Sequence, residues 1–300
     1  MKRFSIQISV WLLFFLGGIV AVGIVAQLHP RLEVMLFAKA GQHGHTIFRN
    51  ADFVDRDDKP DLITLGSSTC YRGIDPRPFA ASGLDAFNLC SSSQSCFNSR
   101  FLLEWVIVQE KAPNILLLDV YPDAWTLSGV EAARDLTINN NLAYHSTFQR
   151  MAWATGDIPS ILKASYFGTK RWFVPHGTVQ GVKDTYVPGG FSFSHKKALG
   201  SLPSCDRDTV SMSRKQERSF HQIRESCEEQ GIELLLVNPP QLCEEVFETP
   251  KVMKGLPWIE GNDWPLAKVD TLYYDDHHLR GVGAELYSKW LAGEVLALMD

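Results

Sequence analysis

The first 28 residues are set apart by their hydropathy. The chain carries no charge from Phe4 to Leu28, and every residue from Val10 to Ala26 is apolar or glycine. With the flanking Ile6 to Ser9, this run approaches the ~20 residues that an α-helix needs to cross a bilayer. A core helix of such length normally shows a polar face, so the pattern predicts a transmembrane helix. Ala21-Val22-Gly23 also has the small-x-small form cleaved after export, which leaves a retained anchor and a removed signal segment both open. Lys2 and Arg3 precede the run, and Arg31 and Lys39 follow it. The short basic start is typical of export signals and puts the rest of the chain, from about residue 30, outside the cytoplasm.

Beyond the run, short apolar segments alternate with helical patterns, the signature of βαβ units and a mainly parallel sheet. The predicted strands are Asp61 to Leu65, Leu84 to Leu89, Asn114 to Val120, Ile232 to Val237 and Val269 to Tyr274. Three are nearly continuous apolar runs, as expected of strands covered on both faces. Ser213 to Gln216 fits a capping box ahead of a helix with Phe220, Ile223 and Cys227 on one stripe, and Gly231 supplies its stop. Phe97 to Val108 is apolar nearly all round and predicts a buried helix. On the last helix, Val282, Leu286, Trp290, Leu291, Val295 and Leu298 form the expected core stripe, opposite Glu285, Ser288, Lys289 and Glu294.

From about 124 to 209 the rhythm breaks into aromatic, Gly- and Pro-rich sequence, which reads as an insertion of the kind that shapes binding sites. Three hundred residues would allow about two domains. With no internal repeat and no second full alternation, one elaborated domain is expected instead. The resulting division is an apolar segment 1–28, a connecting stretch 29–59 and an α/β domain 60–300 with the insertion at about 124–209.

Composition narrows the function. A chain 45% hydrophobic and 21% charged forms a core, which excludes a disordered protein. Twenty-nine basic against thirty-four acidic residues, with no long run of one sign, exclude the basic surface that nucleic acid requires. The six cysteines include no CxxC pair, so zinc and thioredoxin-like readings lack support. They are compatible with an oxidising compartment; Cys90 and Cys96 either pair locally or are buried thiols.

Ligands of open parallel sheets bind beyond the carboxyl ends of the strands. There the chain offers Gly66-Ser67-Ser68-Thr69-Cys70-Tyr71-Arg72, where glycine permits a tight strand-to-helix turn and a hydroxyl sits among free N–H groups that favour an oxyanion. Before the last helix stands Asp275-Asp276-His277-His278, where Asp-x-x-His lets a carboxylate orient an imidazole that deprotonates a serine. Each has a plainer reading, Ser67 and Ser68 as helix caps and the histidines as a solvated loop. A metal hydrolase built on Asp275, Asp276, His277 and His278 lacks a further cluster to complete a coordination shell, so no metal and no cofactor are expected.

Taken together, the serine after the first strand and the Asp-x-x-His before the terminal helix resemble the SGNH/GDSL hydrolase superfamily. The likeness covers roughly residues 60–120 and 210–300. It implies a three-layer α/β/α sandwich around a mainly parallel five-stranded sheet, here with an N-terminal transmembrane helix. Gly66-Ser67-Ser68 stands in place of Gly-Asp-Ser, so Ser68 matches the nucleophile, and Asp275 and His278 match the Asp and His of the last block. Leu279, Gly283 and Ala284 match the run that follows. Phe87 to Ser93 matches the second block, with Ser93 where an oxyanion glycine is usual; its backbone N–H can still donate. The third block departs further, reading Tyr121-Pro122-Asp123 where Gly-x-Asn-Asp is common. Losing one such donor costs about 10² to 10³ in rate. Tyr121 and Arg72 are candidates to replace it.

Branches lacking this Asn include the D-alanyl transfer protein of teichoic acids and proteins that work beside membrane-bound O-acyltransferases on exported polysaccharides. The resemblance therefore implies an esterase or acyltransferase on acyl, chiefly acetyl, esters of envelope glycans, on the periplasmic or extracellular side, with such an acyltransferase as a partner. Trp125, Trp153, Trp172 and Trp258 would suit sugar stacking or core packing. The missing Asn and the serine at 93 also motivate a rival, a non-catalytic envelope component that binds glycan or a partner protein.

Overall fold

The computed structural model describes residues 2–28, 46–138, 146–156, 184–201, 205 and 208–299. Its strands in chain order are β1 (Leu62–Leu65), β2 (Ala86–Asn88), β3 (Ile115–Asp119), β4 (Asp184–Val187), β5 (Phe191–Ser194), β6 (Thr209–Val210), β7 (Glu233–Asn238), β8 (Val246–Phe247) and β9 (Trp258–Glu260). The helices are α1 (Lys2–Leu28), α2 (Thr46–Asp55), α3 (Ser68–Gly73), α4 (Pro76–Ala81), α5 (Cys96–Val108), α6 (Val130–Ile138), α7 (Ser146–Thr155), α8 (Arg214–Gln230) and α9 (Gly281–Met299). The protein is α/β: β2-β1-β3-β7-β9 form a five-stranded sheet in which every pairing is parallel. An apolar helix, α1, precedes it. Its Phe4–Ala21 window has a mean hydropathy of 2.0 with none of it buried, so it is long and apolar enough to cross a membrane.

The continuous apolar runs are explained by where alternate strand residues go. Ile63, Leu65, Leu116, Leu118 and Leu236 enter one cluster with Phe101 and Trp105 of α5 and Phe220 and Ile223 of α8. Leu62, Ile115, Leu117, Leu235 and Val237 enter another with Tyr71 of α3, Phe79 of α4 and Tyr287, Leu291 and Val295 of α9. The caps of α8 fall where expected: Ser213 Oγ accepts from Gln216 N–H, and Gly231 adopts φ 66°. Gln216 does not reach back to complete the box. Buried, it bridges to Phe97 N–H at 2.9 Å and the Leu127 carbonyl at 2.7 Å.

Several expectations are corrected. The fifth strand is Trp258–Glu260, not Val269 to Tyr274, which holds a 3-10 turn over Asp270–Leu272 and a single bridge from Tyr273 to Leu279. Only Ile259 of the true strand is buried, so its hydropathy signal is too short to register. On α9 the buried face is Gly281, Gly283, Ala284, Tyr287, Ser288, Leu291, Ala292 and Val295, whereas Val282 and Leu298 are about half exposed. Two glycines lie on this buried face, Gly281 where a Cβ would meet the ring of Phe193 and Gly283 where it would meet the Leu272 carbonyl. Cys90 pairs with Cys70, not Cys96, and Cys205 pairs with Cys243. Cys90 and Cys96 could not meet, since they belong to different core clusters; Cys96 and Cys227 are buried thiols.

Part of the expected connector is helix α2, whose Phe53 packs on Phe87 and Trp105. Lys111 Nζ caps its end by donating to the Phe53, Val54 and Arg56 carbonyls at 2.7–3.0 Å. The insertion contributes α6, α7 and the antiparallel β4–β5 hairpin. Arg49 of α2, fully buried, donates to the carbonyls of Gly190 in that hairpin and of Cys90. Asp52 accepts from Tyr186 Oη and Gly189 N–H at 2.6 and 2.8 Å.

Candidate active site

The site forms at the carboxyl ends of β1, β2 and β3, together with the loop before α9. After β1 the chain passes Gly66, where any Cβ would collide with the side chain of Asp119 at the end of β3. That approach lets Asp119 take over the turn. Its Oδ2 accepts from Ser67 N–H and Oγ, both at 3.1 Å, and from Thr69 Oγ1 at 2.8 Å, while Oδ1 accepts from Tyr121 N–H at 2.8 Å. Burial raises the Asp119 carboxyl above its ordinary value against the pull of these donors. Ser67 and Thr69 are thereby buried on either side of Ser68, which alone of the three stays partly accessible. Ser67 occupies the cap position of α3 with no side-chain capping bond.

The turn after β2 is tied to this one. Ser91 N–H donates to the Gly66 carbonyl at 3.1 Å. Asn88 Nδ2 donates to the carbonyls of Cys70 and Ile74 at 3.1 and 2.8 Å, its Oδ1 accepts from Cys90 N–H at 3.0 Å, and the Cys70–Cys90 disulfide joins the same two segments. Ser93, expected as an oxyanion donor, has φ 52°, the left-handed region where glycine is the usual residue. Among the described residues, neither the Ser68 nor the Ser93 backbone N–H has a hydrogen-bond acceptor.

The third part is a tight loop. Tyr274 N–H donates to the His278 carbonyl at 3.1 Å, and Asp275 Oδ1 accepts from the backbone N–H groups of His277 and His278 at 3.2 and 2.7 Å. Leu242 N–H holds the Asp276 carbonyl at 2.9 Å, so the segment after β7 fixes the loop from outside. Folded in this way, Asp275 Oδ2 lies 2.9 Å from His278 Nδ1, and His278 Nε2 lies 2.7 Å from Ser68 Oγ. Ser68, His278 and Asp275, read as a unit from residues 210 apart, are within hydrogen-bond reach of one another.

Burial lowers the His278 imidazole to about 4, helped by the nearby His277 and Arg72 and opposed by Asp275. Burial would raise Asp275, but the hydrogen bond from His278 and the adjacent imidazoles hold it at about 2. Near neutrality the ring is therefore uncharged with a carboxylate behind it. With Asp275 as acceptor, Nδ1 carries the proton and Nε2 presents a lone pair to Ser68.

Arg72 and Tyr121 have other work. Arg72 Nη1 and Nη2 form a two-point ion pair with Asp184 of β4 at 2.7 and 3.0 Å, and its guanidinium lies over the Tyr71 and Tyr274 rings. Tyr274 stacks on His278 at 5.3 Å and 5°, so Arg72 and His278 both pack against the Tyr274 ring. Tyr121 Oη donates to Asp123 at 2.9 Å and its ring stacks on His277 at 5.5 Å. Neither is aimed as a free side-chain donor beside Ser68. Of the tryptophans, Trp125 is core and packs with Trp258 around Phe247, Trp153 of α7 is 66% exposed, and Trp172 lies outside the described residues.

Asp275, His277 and His278 each offer one potential ligand atom within 4.8 Å of the others. An ion bound through both Nδ1 atoms would have to displace hydrogen bonds to Asp275 and Asp276. Sequence reasoning missed Asp119, Asn88, Tyr274 and Asp184. Asn88 and Asp119 end β2 and β3 and stand one residue before the ends of the predicted strands, where a polar residue in an apolar run is a readable signal; Asp184 lies in the aperiodic insertion and gave none. No family model matches this chain, and no curated protein matches it in sequence.

Proposed function

We propose that the protein is a serine-dependent acyl-ester enzyme of SGNH type, with the three-layer α/β/α arrangement that helices packed against two core clusters support. The observation that carries this is the relay of 2.7 Å from Ser68 Oγ to His278 Nε2 and 2.9 Å from His278 Nδ1 to Asp275. Ser68 Oγ attacks the acyl carbonyl as His278 accepts its proton, and His278 then gives that proton to the leaving alcohol. Asp275 holds the tautomer and stabilises the transient imidazolium. The oxyanion rests on the backbone N–H groups of Ser68 and Ser93, whose donors are unspent. The acyl group then passes to water or to a hydroxyl acceptor, with His278 as base.

The apolar α1 supports a membrane-anchored protein whose α/β domain stands on the periplasmic or extracellular side, and the two disulfides fit an oxidising compartment. Acyl esters of envelope glycans, with a membrane-bound O-acyltransferase as partner, are the substrate and partner in this reading. A second reading, a non-catalytic glycan- or partner-binding component, draws on the commitment of Arg72 to Asp184 and of Tyr121 to Asp123, which takes both candidate side-chain donors away from an oxyanion. Turnover of p-nitrophenyl acetate, and acetyl transfer to a polysaccharide acceptor, by wild type against Ser68→Ala and His278→Ala separates the two. Activity lost in both variants supports the enzyme; a wild type inert in both assays supports the binding component.

A further inference from the structure

We infer that His277 and Asp276 form a second oriented imidazole beside the triad that binds a neighbouring hydroxyl of the acyl acceptor, so that the site takes a vicinal diol, such as a sugar, in preference to a lone alcohol. The inference rests on the acyl-enzyme reading of Ser68. His277 Nδ1 lies 2.6 Å from Asp276 Oδ1. A carboxylate accepts, so Nδ1 is the donor, and in that tautomer Nε2 is the ring's acceptor. Among the described residues, Nε2 has no partner. The ring packs against Tyr121, stacked at 5.5 Å and 19°, and against His278, with ring centroids 4.0 Å apart. The Asp276 carbonyl is pinned by Leu242 and Cys243 N–H groups at 2.9 and 3.3 Å. Yet the His277 and Asp276 side chains keep 24% and 22% of their surface exposed, so the pair is both fixed and reachable.

The two imidazoles stand side by side, and each turns Nδ1 to a carboxylate. One presents Nε2 to Ser68; the other, with its ring centroid 4.0 Å from the first, has an Nε2 with no partner among the described residues. In acyl transfer, the reacting hydroxyl oxygen bonds to the acyl carbon as the bond from that carbon to Ser68 Oγ breaks. Its proton goes to His278 Nε2 and on to Ser68 Oγ. His277 exchanges no proton; it accepts a hydrogen bond from the adjacent hydroxyl and so positions the acceptor. Water or a simple alcohol offers one oxygen and cannot fill both places at once.

The test uses the full chain in detergent with p-nitrophenyl acetate as donor and equal concentrations of cis-cyclohexane-1,2-diol and cyclohexanol as acceptors, alongside the rate of fluorophosphonate labelling. His277→Asn keeps a donor towards Asp276 and removes Nε2; Asp276→Asn removes the orienting carboxylate. The expected wild-type preference for the diol is about tenfold, the worth of one hydrogen bond. It falls towards unity in both variants; the ratio compares two fates of one acyl-enzyme, so a change in labelling rate through the contact of His277 with His278 leaves it unaffected. Equal use of the two acceptors by wild type, or a preference that survives His277→Asn, would overturn the proposal. Loss of labelling in both variants would overturn it too, since the dyad would then serve Ser68. A wild type that labels nowhere refutes the acyl-enzyme reading itself, a separate failure.

Discussion

The turn after β1 and the loop before α9 each carry a doubled residue, Ser67-Ser68 in one and His277-His278 in the other, but they resolve the doubling differently. In the turn, Asp119 captures Ser67 and Thr69 by their hydroxyls and leaves Ser68 as the accessible member. One serine is scaffold and the other is open. In the loop, each histidine receives its own carboxylate, Asp275 or Asp276, and both remain partly accessible. A single buried carboxylate thus engages one residue of a pair and leaves the other open, whereas two partly buried carboxylates each orient one imidazole.

This contrast is broken most severely at Ser68. Under the proposed mechanism Ser68→Ala lowers kcat by about 10⁴-fold or more, as loss of a nucleophile does elsewhere. Ser67→Ala keeps its reactive neighbour and mainly loses stability, by about 1 kcal/mol for a buried hydroxyl bond; steady-state kinetics and urea unfolding of the two variants check this. Asp275→Asn comes next, with a drop in kcat of about 10⁴-fold because the amide favours the wrong His278 tautomer. Asp276→Asn leaves aryl-ester hydrolysis near wild type, so the two neighbouring carboxylates separate in a single assay.

A smaller effect is expected from Cys70→Ala/Cys90→Ala. The disulfide closes a 20-residue separation between the Ser68 helix and the Ser93 turn, and its loss costs about 3 kcal/mol in unfolding free energy, read from the urea midpoint. Mildest is the pH response. With His278 lowered to about 4, kcat/KM holds through mildly acidic solution and falls tenfold per pH unit only below about pH 4. The same shift has a stability sign. Between about pH 6.5 and 4 the unfolded chain binds a proton at His278 that the folded chain does not, so stability declines as pH falls through that window. Urea midpoints at several pH values across it check the slope.

Much of this was legible in the chain. The runs at 62–65, 115–119 and 233–238 announce buried parallel strands because nearly every residue is apolar, and Ser213 and Gly231 bracket α8 through local chemistry alone. Ser68, Asp275 and His278 were readable as strand-end and loop residues of the right types. What was not readable depends on long-range packing. The buried face of α9 includes Gly281 against Phe193 and Gly283 against the Leu272 carbonyl, the partner of Cys90 follows from the side of the sheet it faces, and Arg72 is engaged by Asp184, 112 residues away. Trp258–Glu260 is too short to leave a period.

The central claim is that Ser68, and not Ser67, is the activated hydroxyl. Peptide mass spectrometry of the full chain after fluorophosphonate treatment tests it most directly. The expected result is one adduct, on Ser68, absent from His278→Ala. An adduct on Ser67, or labelling of Ser68 that persists at the wild-type rate without His278, would contradict it.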